Sequence, residues 1–132
     1  MAISAAAGPG SNLLLAMLCI IIIRVIFIFW TSANLVLELM VSFFWMAAYM
    51  NITLAVFNLL PVPPLDGSRL FYVFLPPKLY FGVMKYERII SIVIMLLLIT
   101  GILSPVISFV ADGILYSMLR LVGLGQYIGF IF

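Results

Sequence analysis

The sequence predicts an all-α, polytopic membrane protein of three to four helices, and three observations carry that prediction. Apolar residues make up 67% of the 132-residue chain and charged residues only 8%, with a mean hydropathy of +1.41. A domain this small has too much surface for its volume to hide such a load from water, so its solvent is lipid. The apolar residues also come in long unbroken runs, not in the short alternating segments of a membrane β-barrel. In their midst stands Pro61-Val62-Pro63-Pro64-Leu65-Asp66-Gly67, where the backbone cannot stay helical, because each proline removes a donor and clashes with the preceding turn. The net charge of +2 is too small to suggest a nucleic-acid partner. Cys19 is the single cysteine, which excludes an intramolecular disulfide and a thiolate cluster; it reads as a buried packing residue. No internal repeat or linker interrupts residues 1–132, which read as one transmembrane domain.

Residues 1–7 are small and uncharged and lack the basic start of a signal peptide. Ala7-Gly8-Pro9-Gly10-Ser11-Asn12 reads as a break that opens a helix, with Pro9 in the first turn and Ser11 or Asn12 as cap. Leu13–Trp30 is the first predicted span, since about 20 residues cross the hydrocarbon core. Arg24 interrupts it, and Trp30 suits an interfacial belt. Thr31–Asn34 is a polar turn, with Asn34 a cap for the second span, Leu35–Leu60. The two spans form a hairpin, and Arg24 and Glu38 approach the same turn end. They either pair or snorkel separately to the headgroups. Asn51 and Asn58 are seven apart and share a face, which either bonds to a neighbouring helix or lines a substrate path.

Asp66 comes after the proline break. A carboxylate beside a broken backbone near membrane depth is tolerated only in protein or against a wet cavity, and such a site is functional by default. The bland alternative is that Asp66 caps a short helix over Leu70–Phe74, accepting from the amides of Ser68 or Arg69. Arg69 could also neutralise it. Pro61, Pro63 and Pro64 leave carbonyls unpaired, beside which an extended peptide could dock.

Residues 76–88 are expected to form a loop. It is the most basic segment, with Lys78, Lys85 and Arg88 against Glu87, and the positive-inside rule puts it in the cytoplasm. Ile89–Val110 is the third span, kinked at Gly101 and Pro105 and ended by Asp112-Gly113. Asp112 and Arg120 read as interfacial anchors. Ile114–Phe132 is either a fourth span or a helix in the interface.

The central stretch carries a family resemblance. Asn58-x-x-Pro61-x-Pro63-Pro64-Leu65-Asp66-Gly67 resembles the second motif of the site-2 proteases, which are intramembrane zinc metallopeptidases. Gly8, Pro9 and Asn12 resemble an A-G-P-x-x-N stretch that precedes that motif in small bacterial members. The resemblance implies that Asp66 is a metal ligand. It implies that Asn58, with the segment of Pro61, Pro63 and Pro64, holds substrate, a membrane-embedded peptide. In the family the other zinc ligands are histidines of an upstream H-E-x-x-H helix. This chain has no histidine at all, so it is expected to be the C-terminal portion of a member and to lack a complete zinc site by itself. A partner chain could supply the histidines. The alternative is a non-catalytic membrane pseudoprotease, scaffold or partner subunit that has lost the zinc site. The resemblance also implies a multi-pass protein of the bacterial inner or plasma membrane.

Overall fold

The computed structural model describes residues 2–29, 35–60 and 77–125, with side chains described over 7–29, 35–60 and 85–125. The described residues form four helices: α1 (Ala2–Ile28), α2 (Leu35–Leu59), α3 (Pro77–Ile99) and α4 (Ser104–Leu121). This is the all-α architecture the composition predicts. Among the described residues three stretches are long and apolar enough to cross a membrane: Ala7–Ile28, Leu35–Leu59 and Ser104–Leu121.

Helix α1 begins earlier than the sequence suggests. It runs straight through Pro9, and no break occurs at residues 7–12. A proline there loses one backbone bond, and hydroxyls and neighbouring helices can re-satisfy the freed groups of a membrane helix. Ser11 does not cap; its hydroxyl donates back to the Gly8 carbonyl at 2.8 Å. In α2 the Asn51 amide donates to the Ala47 carbonyl and the Thr53 hydroxyl to the Tyr49 carbonyl, both at 2.8 Å. These side chains therefore satisfy themselves on their own helix. The expected turn at 31–34, with Trp30 and Asn34, lies outside the described residues.

The segment read as a basic loop is helical from Pro77 onward. Proline at a first helical position is pre-organised and gives up a donor that would be unpaired anyway. The Lys, Leu, Met, Glu and Arg beyond it are good helix formers. The third span is not one kinked helix either. Helix α3 ends at Ile99, Gly101 takes φ +74°, and α4 restarts at Ser104 with Pro105 in its first turn. A left-handed glycine after one helix and a proline opening the next make a full stop, where the sequence suggests only a bend.

Asp112-Gly113 ends nothing, and α4 continues to Leu121. Residues 114–121 thus belong to a helix that began ten residues earlier than expected; residues 126–132 lie outside the described set. The stop is Gly123. Its amide donates to the Arg120 carbonyl at 3.1 Å, and Leu124 donates to the Leu119 carbonyl at 2.8 Å. These are the two bonds of a Schellman motif, and the buried Leu124 and Leu119 provide its apolar contact. Gly123 has φ +77°, while a Cβ there would meet nothing within 4 Å. Gly123→Ala is therefore expected to destabilise by about 1–2 kcal/mol through backbone conformation alone. Thermal unfolding in detergent should show a lower midpoint for alanine than for asparagine at this position.

The core is drawn from α1, α2 and α4. Ala16, Ile20 and Ile23 meet Ala48, Ile52 and Val56 along the α1–α2 hairpin. Ile107, Ala111, Leu115 and Leu119 form an i, i+4 stripe by which α4 joins them. Lipid tails are as apolar as leucine, so this bundle is held by close packing; alanines at the contacts let the backbones approach.

Candidate functional site

The site is built at one end of the α1–α2 hairpin. Six residues separate the end of α1 from the start of α2, so the two helices run antiparallel. Counting back from Ile28 and forward from Leu35 at about 1.5 Å per residue brings Gly8 level with Ala55. The Gly8-Pro9-Asn12 stretch and the last two turns of α2, which carry Asn58, therefore share one end of the bundle. Pro9 is buried there, and Asn12 and Asn58 are half-buried. Two stretches some forty-five residues apart in sequence thus lie at the same end of the hairpin.

Proline chemistry sets the end of helix α2. Leu60 donates to the Phe57 carbonyl at 3.2 Å, tightening the last turn just before Pro61. A residue before proline is pushed away from helical backbone, which fixes the end of α2 within one turn of Asn58. Pro61, Pro63, Pro64 and Asp66 lie outside the described residues.

Zinc takes four donors as a rule, with nitrogen or sulfur among them. Among the described residues no group of three His, Cys, Asp or Glu side chains could hold a metal ion. The sequence has no histidine, and Cys19 sits half-buried in the interior of α1. One Asp66 carboxylate does not make a zinc site, so the residues present do not fit the ion by themselves.

The charges of the first two spans do not come together as a pair. Among the described residues no salt bridge joins Arg24 to Glu38. Sequence reasoning missed a different polar contact. Asp112, taken for an anchor at a helix end, lies midway along α4, with the Tyr49 hydroxyl of α2 aimed at its carboxylate. The signal for it was Pro105, which reads equally well as a helix start and puts Asp112 two turns inside.

Residues 25–103 match the family model described as Peptidase family M50. The match runs across Asn58 and the whole proline-aspartate motif. The chain is also 31% identical over 114 residues to the Bacillus subtilis (strain 168) protein named "Putative zinc metalloprotease YwhC". That alignment covers 83% of this chain and 52% of the relative, so the chain spans about half the length of the curated relative it matches. No solved structure matches it significantly.

Proposed function

This chain belongs to peptidase family M50, and from that premise we propose that it is the ligand-bearing C-terminal part of a site-2-protease-like intramembrane zinc metallopeptidase. The observation that carries the reading is the Asn58–Gly67 motif, which begins in the last turn of a membrane-length helix and lies inside the family match. Its role is to deliver one carboxylate, Asp66, to a zinc ion whose nitrogen donors come from outside these 132 residues. They belong either to a further segment of the same polypeptide or to a partner chain. Asn58, half-buried in the last turn before the break, holds or orients the peptide beside that centre. The Pro61, Pro63 and Pro64 segment offers unpaired carbonyls for an extended stretch of substrate. The substrate class is a membrane-embedded peptide, and the setting is a bacterial inner or plasma membrane, in keeping with the Bacillus relative.

The test is to co-express the chain with the histidine-bearing segment and measure cleavage of a membrane peptide together with bound zinc. Zinc should be present in the joined protein and absent from the 132-residue chain alone. Asn58→Ala in the joined protein should lower turnover by up to about 100-fold with zinc retained, the scale of loss when a bound substrate is misplaced. Stoichiometric zinc in the isolated chain would overturn the assignment of the missing donors. Folded, zinc-free and proteolytically silent joined protein would instead favour the pseudoprotease reading.

A further inference from the structure

We propose that the face of α4 around Asp112 docks a second membrane-spanning helix that carries a lysine or arginine at mid-depth. Asp112 lies eight residues after Ser104 and nine before Leu121, so it sits near the middle of a helix just long enough to cross the bilayer. An acid at that depth is costly unless it faces a partner or a wet cavity. The Tyr49 hydroxyl meets it from α2. On its other side the Asp112 side chain is exposed.

That exposed side opens on a groove of about 730 Å³, lined by Phe109, Val110, Asp112, Gly113, Tyr116 and Leu119. Apart from the carboxylate and the Tyr116 hydroxyl its walls are apolar. Gly113 presents no side chain, and a Cβ there would meet nothing within 4 Å, so a neighbouring backbone can come close. Charge selects the occupant. Among the described residues no cation lies against Asp112. Arg120 is two turns away, with its guanidinium 5.0 Å over the Tyr116 ring. Lys85 lies over Tyr86 in α3, and Arg24 forms no salt bridge with a described residue. An apolar helix would fill the groove but leave the carboxylate in lipid, whereas a helix with a central base fills the groove and neutralises it.

The surface is separate from the peptidase motif. Tyr49 precedes Asn58 by nine residues, about 14 Å along α2. Docking at Asp112 is therefore independent of whether the zinc reading holds.

The test places the chain, fluorescently labelled, in phosphatidylcholine nanodiscs, where no anionic headgroup recruits lysine. The probes are Leu/Ala helices of about 20 residues with lysine, leucine or glutamate at the centre. Energy transfer should show the lysine probe binding about tenfold more tightly than the leucine probe. The glutamate probe should be the weakest. Asp112→Asn should bring lysine and leucine within about twofold of each other, and Asp112→Glu should keep the preference. Glu38→Gln, which removes the only other acid in a spanning stretch outside Asp112, should change nothing. Equal binding of the lysine and leucine probes to the unaltered chain would overturn the proposal without any variant. So would a lysine preference that survives Asp112→Asn, which would assign the cation to another site, or one that disappears in Glu38→Gln.

Discussion

Asp66→Ala, introduced into the complete enzyme, is expected to remove zinc and with it cleavage of a membrane-embedded peptide, by at least about a hundredfold. The size reflects what a ligand does. Altering groups that merely orient the ligands of a zinc ion costs about 10–100-fold in affinity or activity, and losing a direct oxygen ligand costs more. The zinc-to-protein ratio of the purified enzyme should fall together with the cleavage rate. Asp66→His should recover part of the metal, because imidazole is a good zinc donor. The competing account makes Asp66 the cap of a short helix after it. On that account Asp66→Ala would cost about 1 kcal/mol of stability and leave zinc in place. A serine there would then rescue stability, whereas it should not rescue metal binding.

The parts of this molecule that were legible in its sequence are those that lipid dictates directly. The spanning cores of helices α1 and α2 were legible, because a run of about twenty apolar residues in a bilayer has one solution, with all backbone bonds kept inside the segment. The Asn58–Gly67 motif was legible for another reason. Its prolines, aspartate and glycine are costly in lipid, so their appearance in order is specific, and the family match across residues 25–103 bears that out. The glycine and proline signals failed where their direction was ambiguous. Pro9 reads as a helix start and is interior; Pro77 and Pro105 read as loop and kink and are starts. A proline forbids a donor at one position but does not say on which side the helix lies. The misplacement of Asp112 comes from the Pro105 error alone. Once Pro105 opens α4, the acid falls midway along that helix, beside Tyr49 of α2.

Ala111→Leu is expected to detach α4 from the hairpin, at a cost of about 1–3 kcal/mol, the usual range for forcing extra methylenes into a packed contact. Ala111 is 0% exposed and sits at the centre of the stripe from Ile107 to Leu119 that faces α1 and α2. The buried set it packs with includes Ala48 and Ile52, both 0% exposed. In water, apolar surface exposed by such a clash would be driven back together. In a bilayer lipid covers it at no comparable cost, so the helices separate rather than strain. The readout is the Tyr49–Asp112 contact. With Cys19→Ser as background, Tyr49→Cys and Asp112→Cys should be joined efficiently by a short bifunctional thiol reagent, and Ala111→Leu should slow that joining by about fivefold or more. Phe109→Ala is the control, because Phe109 is 80% exposed on the same helix and its loss leaves the stripe intact. If Ala111→Leu and Phe109→Ala crosslink alike, close packing at Ala111 does not hold α4 against the hairpin.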